Sequence, residues 1–572
     1  MSQHPEFNVA TPRPSDQEDV SWMKDGLREL LPSFRWSGLS GRRVPADRFD
    51  IVDAITLDPG RLHLVVASVA SGKQGAVSSM FWIPVALGGS ARGSSPGFSC
   101  RFPGGTRVQV RLPLGDTPFW YRVLSLVAGG EAPARELSFT KKDGEIGDLV
   151  RMLNEDPEGT GCTVSFLGGG DTTNIVFKIR SNEELRHSFV VKCYPRVTFN
   201  PTSQVAGALR EGGFQNHARL LGACELEPSR IEQLLTRVRG EQETSPILSF
   251  CREIDTPASA MFPFLHVFEY IPGKRDGGHP FWISALKNAK HFNQDMSVMD
   301  LAEPAGKVAS SLSSFHACLA EHLAMETSIA SKARASKARR IEAKLEKIDA
   351  FLKEARDARR TPLDLPGRWG EIAIEVLARL DMEALRAVVG EAGATNQHSQ
   401  IIHQDMHLSQ FMIDERHGAY VILDLEGDPQ LPWEERMAPW PVEKDLAALV
   451  RSLSYIKVAT LKQSLAPVVE NIPANAIPLL FILDGGMLEP GQERTVRRAV
   501  EKLNSWEKEA SKMILTRYES HREMNADAVR RLAVARAVEE MHYEITYRPS
   551  NATVPLVGLL ECQHETFHGD GF

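Results

Sequence analysis

Alternating apolar and polar positions in the first third of the chain predict a region rich in β-strands. Period-two alternation runs through Phe49 to Ile55, Leu62 to Ala70 and Met80 to Ala86, with turn-forming Asp, Pro, Gly and Ser residues between the three segments. A short helix is predicted before them at Met23 to Leu31, and Arg107 to Leu112 adds another short element. The pattern therefore indicates a small β-rich unit near the N-terminus.

The next stretch also has the pattern of strands, and it ends in a chain break. The segment CTVSFLGGGDTTNIVFKI predicts two strands joined by a glycine-rich turn, and Ser188 to Tyr194 predicts a third. A helix is predicted over Asn200 to Leu209, where two glycines soon follow. Pro263 to Ile271 predicts a strand that ends in EYIPG, and the Pro-Gly pair suits a hinge between two lobes.

Apolar positions at helical spacing dominate the rest of the chain. The predicted helices include Ser331 to Arg360, Glu371 to Gly390, Lys444 to Ile456, Arg494 to Tyr518 and Asn525 to Tyr547. The change from strands to helices marks a second lobe. We therefore predict an α+β fold with four parts: a loose tail at 1–20, a β-rich cap at 21–155, a β-rich lobe at 156–272 and a helical lobe at 273–572.

Bulk composition adds few constraints. The chain has 572 residues, 42% of them hydrophobic, and its formal net charge of −8 gives no reason to expect a nucleic-acid partner. The N-terminus lacks the apolar core of a secretory signal, and no run reaches the ~20 apolar residues that a membrane helix needs. We therefore expect a cytoplasmic protein without membrane contact. The seven cysteines form no CxxC pair and are expected to be reduced.

The stretch QIIHQDMHLSQFMIDERHGAYVILDLEGDP, from Gln400 to Pro429, holds the most informative polar residues. His403, Asp405 and Gln410 have the spacing of the kinase catalytic loop, in which H-x-D is followed five positions later by an amide. In phosphoryl transfer such a carboxylate faces the acceptor hydroxyl. Asp405 is therefore the candidate base.

A predicted hairpin places a second carboxylate near the first. Phe411 to Ile413 and Tyr420 to Leu423 are two short apolar strands joined by a polar turn, so the chain returns Asp424 toward Asp405. Phosphoryl transfer uses a carboxylate and a side-chain amide to hold Mg²⁺ against the phosphates, and this cation prefers oxygen ligands. Asp424 and Gln410 are the candidate metal ligands.

Two other interpretations of this stretch remain open. His403, Asp405 and His407 could together bind a transition metal, or HxDxH could be a polar loop without a function. Neither interpretation predicts an amide at Gln410 or an acid directly after a hairpin.

The glycine-rich turn is a candidate phosphate-binding element. Gly168, Gly169 and Gly170 lack a Cβ, so their backbone amides can approach phosphate groups closely. A glycine triplet alone is as often an ordinary hairpin turn. Lys192 strengthens the interpretation because it ends the strand FVVK, the context of the lysine that contacts the α and β phosphates in kinases.

Taken together, these motifs resemble those of the maltokinases, a family similar to the aminoglycoside phosphotransferases with a two-lobed, protein-kinase-like fold. LPSFRWSGLSGRR resembles the start of the family's N-terminal cap, SFLGGGDTTNIVF its phosphate-binding hairpin and FVVKCYPR its nucleotide-lysine strand. FEYIPG resembles the hinge, HQDMHLSQ and LDLEGDP the catalytic motifs, and EKDLAALVRSLSYI and AVEEMHYEITYRP the late helices. The resemblance extends over nearly the whole chain.

The resemblance implies a role for each matched residue. Lys192 would hold the phosphates of ATP, Asp405 would act on the sugar hydroxyl, and Gln410 and Asp424 would bind Mg²⁺. Glu269 and Ile271 would meet adenine through their backbone. Weaker candidates for contact with the substrate are His403, His407, Glu426, Glu539, His542 and Tyr543.

The chain departs from the family pattern in two places. Gln204 stands where the family's helix presents a glutamate to the lysine, with Glu211 two helical turns later as a possible substitute. In the late helices, Glu539, His542 and the segment NAT stand where the family has aromatic and basic residues that contact maltose. Aromatic rings bind sugars through their apolar faces, so these departures bear on the acceptor.

We expect an ATP- and Mg²⁺-dependent sugar kinase, with maltose as the first acceptor to consider and maltose 1-phosphate as its product. An aminosugar or aminoglycoside kinase is the alternative within this class, because Glu539, Glu540 and Glu544 could pair with an ammonium group. A degenerate kinase that binds ligands without turnover is the alternative outside it. The expected partner is a small sugar, and the expected assembly is a monomer or homodimer.

Overall fold

The computed structural model describes most of the chain between residues 21 and 568. The gaps in this description are 35–43, 59–61, 72–75, 88–96, 102–106, 114–118, 122, 126–137, 142–161, 168–173, 182–187, 227–261, 291–297, 324–326, 358–362, 364, 393–398, 430, 432, 467–470 and 484–487. The predicted tail at 1–20 and the predicted phosphate-binding glycines Gly168, Gly169 and Gly170 lie outside the described residues.

The chain divides into two compact units. The first comprises Met1–Ala206 and Ala218–Tyr270, and the second comprises Gly207–His217 and Ile271–Phe572. Helix α1 (Lys24–Leu30) belongs to the first unit. No described helix has both the length and the apolar content needed to cross a membrane.

The first unit begins with a five-stranded antiparallel sheet. Its strands are β1 (Phe49–Asp58), β2 (Leu62–Ser71), β3 (Ala76–Leu87), β4 (Gly97–Arg101) and β5 (Arg107–Arg111), in the spatial order β1-β2-β3-β5-β4. The three strands predicted from alternation are therefore confirmed as β1, β2 and β3, and each is longer than predicted. Side chains of β3 that point into the core, such as Trp82, are fully buried.

A six-stranded sheet completes the first unit. Its strands are β6 (Ser138–Lys141), β7 (Cys162–Phe166), β8 (Ile175–Ser181), β9 (Ser188–Cys193), β10 (Leu220–Leu226) and β11 (Phe262–Glu269), in the order β6-β10-β11-β9-β8-β7. β6 falls within the predicted cap at 21–155, yet it pairs with β10 of this second sheet. The predicted division at residue 155 thus comes after a strand of the second sheet, and the division itself stays a prediction.

Direct contacts join the two sheets within the first unit. The backbone N–H of Trp82 donates to the carbonyl of Pro195 at 2.6 Å, and the backbone N–H of Val197 donates to the carbonyl of Met80 at 2.9 Å. The ring centroids of Trp120 and Phe177 lie 4.2 Å apart. These large rings are fully buried in the core of the first unit, the unit that also contains β9, the strand that carries Lys192.

The second unit consists mainly of helices. They are α3 (His279–Lys290), α4 (Ala302–His322), α5 (Thr327–Asp357), α6 (Arg368–Leu377), α7 (Met382–Ala392), α8 (Trp433–Arg436), α9 (Glu443–Leu465), α10 (Pro490–Glu519), α11 (Ala526–Tyr547) and α12 (Thr553–His568). Helix α2 (Thr202–Glu211) precedes them, and its first residues belong to the first unit. The hairpin of β13 (Phe411–Ile413) and β14 (Tyr420–Ile422) confirms the predicted pair of short strands. The remaining short strands, β12 (Ser399–Gln400) and β15 (Trp440–Pro441), pair with each other.

Two helix predictions were wrong. The single helix predicted over Glu371 to Gly390 is interrupted between α6 and α7, because the side chain of Asp381 accepts hydrogen bonds from the N–H groups of Glu383 and Ala384 and thereby caps a new helix. The helix predicted to end near Pro549 is also not the last one, since α12 follows it.

A buried lysine lies at the centre of the helical unit. Lys457 of α9 is almost inaccessible, and its Nζ lies 2.5 Å from Glu507 and 2.8 Å from Glu561. The two carboxylates raise the pKa of Lys457 against the effect of its burial. Glu507 also accepts a hydrogen bond from the hydroxyl of Ser454. One ammonium group therefore neutralises two carboxylates contributed by α10 and α12.

We predict that Lys457→Met lowers the free energy of unfolding by about 3 kcal/mol, because it leaves two partly buried carboxylates without a counter-charge. Urea unfolding at pH 7 measures this loss. The deficit should shrink at pH 5, where the carboxylates of the variant can take up protons. Lys512→Met removes an exposed lysine from α10 and is the matched control. An equal, small effect of both substitutions would contradict this account of Lys457.

Candidate active site

The loop that carries Asp405 is fixed by a buried carboxylate from helix α9. Asp445 Oδ2 accepts a hydrogen bond from the N–H of His403 at 2.8 Å, and Asp445 Oδ1 accepts one from the N–H of Gln404 at 2.7 Å. Asp445 is fully buried. Gln404 has a φ of 69°, in the left-handed region that a non-glycine residue seldom adopts. The carboxylate thus stabilises a strained turn directly before Asp405.

A histidine and a tyrosine hold Asp445 in turn. His316 Nε2 lies 3.0 Å from Asp445 Oδ2, and His316 Nδ1 lies 2.7 Å from the hydroxyl of Tyr518. Burial lowers the pKa of His316, which favours the neutral ring. Since a carboxylate can only accept, Nε2 carries the proton and Nδ1 accepts from the tyrosine. The pKa of Asp445 is lowered by these hydrogen bonds despite its burial.

The β13–β14 hairpin brings Gln410 and Asp424 to adjacent positions. The ladder continues one residue beyond the strands, because the Leu423 N–H donates to the carbonyl of Gln410 at 2.8 Å. Gln410 is buried, whereas Asp424 is exposed and has a φ of 57°. An aspartate tolerates this left-handed conformation better than most residues do. The positive φ turns the chain immediately after the strand.

Asp405 is paired with an arginine from helix α11. Arg536 Nη2 donates to Asp405 Oδ1 at 2.9 Å, and both side chains remain about one-fifth exposed, at 23% and 22%. Burial and the nearby Asp428 carboxylate raise the pKa of Asp405 to about 6, while Arg536 and His403 act in the opposite direction. Asp405 is therefore largely ionised at neutral pH and poised near the range in which a general base works well.

The two histidines of the loop differ in their surroundings. His403 is buried, and its Nε2 lies 2.8 Å from the carbonyl of Leu423, so the ring joins the loop to the hairpin. Its predicted contact with substrate stays a prediction that this burial does not favour. His407 is half-buried, and burial together with Arg536 lowers its pKa to about 4. His407 is thus neutral at pH 7.

Lys192 lies in a buried polar cluster of the first unit. The lysine is 6% exposed and stands directly opposite His266 in the pairing of β9 with β11. His266 lies 3.1 Å from the fully buried Glu225 and 3.0 Å from the hydroxyl of Tyr194, whose ring centroid is 5.6 Å from Lys192 Nζ. The strand position predicted to serve the nucleotide therefore lies beside His266 and Tyr194, and His266 connects to the carboxylate of Glu225.

The same cluster touches helix α2 beside Gln204. The hydroxyl of Ser203, one residue earlier, donates to Glu225, so a carboxylate from β10 contacts the helix that carries no glutamate at this place. Glu211, the possible substitute, is exposed at the end of the helix. Gln204 occupies the helix position where a glutamate was expected. Glu225, which the sequence did not indicate, is the buried carboxylate that contacts this helix.

The two predicted adenine contacts, Glu269 and Ile271, fall in different units. The N–H of Glu269 donates to the carbonyl of Arg219 at 3.0 Å, and its side chain accepts from Arg219 Nε at 2.8 Å. Ile271, in the second unit, is buried.

The candidate acceptor residues of helix α11 take part in ion pairs. Glu539 lies 2.5 Å from Arg340 Nη1 and 3.8 Å from Lys344. Glu540 lies 2.9 Å from Arg451 Nη2. Releasing either carboxylate to a substrate would leave a buried arginine without its partner, which is strongly unfavourable. The expectation that these glutamates pair with a substrate ammonium stays a prediction, and these ion pairs do not favour it.

The other weak candidates also have defined surroundings. Burial and the neighbouring lysines lower the pKa of His542 to about 4. The ring centroid of Tyr543 lies 5.0 Å from that of Tyr547 and 5.6 Å from the guanidinium carbon of Arg548. Glu426 is buried, two residues after Asp424. The structure describes no contact that distinguishes any of these three as a sugar ligand.

Sequence reasoning missed Asp445, His316 and Arg536. Each of the three lies on a helix, more than 40 residues along the chain from its hydrogen-bonding partner, so spacing in the sequence does not reveal it. The one available signal is local: Asp445, in the first turn of α9, directly precedes the apolar run from Leu446 to Val450, which the structure buries.

No family model matches the chain. A glucosamine kinase of Mycolicibacterium smegmatis is 34% identical over 93 residues, which is 16% of this chain and 23% of that protein. A glucosamine kinase of Streptacidiphilus jiangxiensis is 24% identical over 378 residues, which is 62% of this chain and 73% of that protein. The chain thus spans about a quarter of the length of the first relative and about three-quarters of the second.

Solved structures show the fold. A glucosamine kinase structure superposes with a TM-score of 0.51 over 95% of this chain and 99% of that chain, at 16% identity. A glucosamine kinase in complex with glucosamine, ADP and inorganic phosphate gives a TM-score of 0.50 over 96% and 99%, also at 16% identity. The predicted α+β, kinase-like fold is confirmed.

We predict that Asp445→Asn loosens the loop before it affects the rest of the chain. An amide offers one acceptor oxygen in place of two, so at least one buried N–H loses its partner at a cost of about 1 to 3 kcal/mol. Amide hydrogen exchange of peptides covering residues 401–408 should accelerate by about tenfold or more.

The carboxylate's pKa lies below its ordinary value of 3.8, so its contribution is complete above that pH and is lost only at lower pH. The difference in exchange should therefore persist from pH 5 to 8. Asp527→Asn, at an exposed position of α11, is the control. Unchanged protection of the loop in Asp445→Asn would exclude the anchoring role.

Proposed function

We propose that this chain transfers the γ-phosphoryl group of ATP to a hydroxyl group of an aminosugar, with glucosamine as the first acceptor to test. The observation that carries the proposal is the anchored loop, which presents an ionised carboxylate at Asp405 beside a hairpin bearing Gln410 and Asp424. The names of the relatives support a sugar acceptor with an amino group. Their low identity makes the acceptor the part that needs testing.

Asp405 serves as the base in this proposal. The acceptor oxygen forms a bond to the γ-phosphorus, the bond between that phosphorus and the departing ADP oxygen breaks, and the hydroxyl proton passes to Asp405 and then to water. A pKa near 6 leaves the carboxylate ionised at pH 7 and still able to hold a proton. The fixed turn at Gln404 keeps this carboxylate in one position.

Gln410 and Asp424 would hold Mg²⁺. Among the described residues, no three or more His, Cys, Asp and Glu side chains converge as they do in a metal cage built by protein alone. Mg²⁺ needs no such cage, because it retains waters and phosphate oxygens beside one or two protein ligands. An amide oxygen and an exposed carboxylate suit this hard cation. When bound, it supplies neutralisation of the charge on the phosphates.

The nucleotide would be held by residues of the strand-rich lobe. Lys192 would contact the phosphates, Gly168, Gly169 and Gly170 would cover them, and Glu269 and Ile271 would meet adenine through their backbone. The buried Glu225–His266–Tyr194 cluster supports this role for Lys192, since it places hydrogen-bonded polar groups beside the lysine. This cluster would orient the lysine where a helix glutamate is absent.

Maltose is the second candidate acceptor, supported by the motifs that resemble the maltokinases. The late helices add no support for maltose. An aromatic ring at position 539 could stack on a sugar, but this chain has Glu539 there, and its carboxylate pairs with Arg340. The same ion pair also excludes the simplest aminosugar recognition by Glu539. The substrate ammonium would need another carboxylate, and Asp428 is the one whose charge acts on both Asp405 and Arg536.

We predict that Asp405→Asn reduces kcat by about 10² or more while ATP binding stays nearly intact, because proton acceptance is lost without loss of the nucleotide contacts. In the parent protein, kcat/KM for the sugar should fall as pH decreases through about 6, where Asp405 becomes protonated. The variant should lose this acid limb. Asp527→Asn is the control, and a fully active Asp405→Asn protein would remove Asp405 from the mechanism.

We further predict that kcat/KM for glucosamine exceeds that for maltose by more than about tenfold, or roughly 1.4 kcal/mol in transition-state binding. Glucose, which lacks only the amino group, shows how much of the preference the amine provides. An ATP-coupled assay with these three sugars gives the ratios. Preference for maltose would instead support the maltokinase assignment, and nucleotide binding without turnover on any sugar would indicate a degenerate kinase.

A further inference from the structure

The carboxylate of Asp405 does not stand alone in the helical unit. Its Oδ1 accepts a hydrogen bond from Arg536 Nη2 at 2.9 Å. Among the residues that the structure describes, no other side chain or backbone group donates to this carboxylate, so Oδ2 remains available. One oxygen is therefore occupied by a cation while the other can accept a proton.

Arg536 is itself held in place from the far side. Its Nε lies 3.5 Å from Glu540 Oε1, one helical turn along α11. Glu540 is fixed by Arg451 of α9, whose Nη2 and Nε lie 2.9 and 3.3 Å from Glu540 Oε2. Arg451 also donates from Nη1 to the hydroxyl of Ser454 at 3.0 Å. The guanidinium of Arg536 thus bridges the loop and a carboxylate that is already fixed.

Other charges complete the surroundings of this pair. Asp405 is faced by Asp428 from the segment after the hairpin and by His403 from its own loop. Arg536 is faced by Glu539 and Glu540 from its own helix and by Asp428, and its charge also acts on Lys344 of α5, His407 of the loop and Tyr455 of α9. Arg536 is therefore the one cation in hydrogen-bonding distance of Asp405 within the described residues. Its removal would leave Asp405 next to the negative charge of Asp428.

We propose that Arg536 is the positioning residue for Asp405: its hydrogen bond to Oδ1 fixes the orientation of the carboxylate, so that Oδ2 faces the acceptor hydroxyl. This inference rests on the proposed function. The bridge to Glu540 requires a guanidinium. Its planar group directs one N–H to Asp405 and another toward Glu540, whereas a lysine ammonium is a compact point charge. Arg536 need not touch the sugar to have this effect.

The kinetic experiment compares Arg536→Gln and Arg536→Lys with the parent protein. The glutamine variant should lower kcat by about 30-fold or more, while KM for ATP changes by less than about threefold, because the lost interaction acts on the proton acceptor. The acid limb of kcat/KM should move to higher pH, since removal of a cation raises the pKa of a carboxylate. Arg536→Lys should restore the limb toward the parent position but only part of kcat.

Arg530→Gln is the matched control, since Arg530 lies on the same helix and pairs with the exposed Asp527. It should leave both kcat and the pH profile unchanged. The double variant Arg536→Gln with Glu540→Gln separates positioning from a structural role. If Arg536 only neutralises Glu540, the double variant regains activity and the proposal is overturned; if it positions Asp405, activity stays as low as in Arg536→Gln.

A readout without turnover distinguishes this inference from the proposed function. Asp405 can be titrated by carbon NMR of protein labelled at the aspartate carboxyl carbon, with Asp405→Asn identifying its signal. We expect a higher midpoint in Arg536→Gln than in the parent. An unchanged or lower midpoint overturns the positioning role even in an active enzyme. A raised midpoint in a protein that phosphorylates no sugar leaves the inference standing and rejects the proposed function.

Discussion

The geometry of the candidate active site depends on one buried carboxylate. Asp445 accepts the N–H groups of two successive loop residues, and it can do so only because His316 and Tyr518 fix its orientation. Without that acceptor, the left-handed turn at Gln404 would carry two energetic costs, its backbone strain and an unpaired backbone N–H. The position of Asp405 therefore follows from an interaction in which Asp405 itself takes no part.

The sequence could predict the features that depend on local patterns of apolar and polar residues. Alternation located β1, β2 and β3, and the polar turn between two apolar triplets located the β13–β14 hairpin, because strands and tight turns are specified by residues close together in the chain. The order of Asp405, Gln410 and Asp424 is likewise local. Their adjacency follows from a register that a short hairpin leaves little freedom to change.

The features that escaped prediction depend on pairs distant in the sequence. Asp405 and Arg536 are 131 residues apart, and His316 and Asp445 are 129 apart, so neither partner carries a signal of the other in its own neighbourhood. Glu539 also has a partner that is distant in the sequence. As an isolated acid on a late helix it suggested a ligand for an ammonium group, whereas Arg340 from helix α5 already neutralises it.

The buried ions of the helical unit also affect how its stability responds to temperature. Lys457, Glu507, Glu561, Arg451 and Glu540 fill space between helices that hydrocarbon side chains would otherwise occupy. Exposure of polar surface on unfolding lowers the heat-capacity change, while exposure of apolar surface raises it. These groups therefore reduce the curvature of the stability curve. Because the hydration of charges becomes less favourable on heating, the cost of keeping them in the interior also falls as the temperature rises.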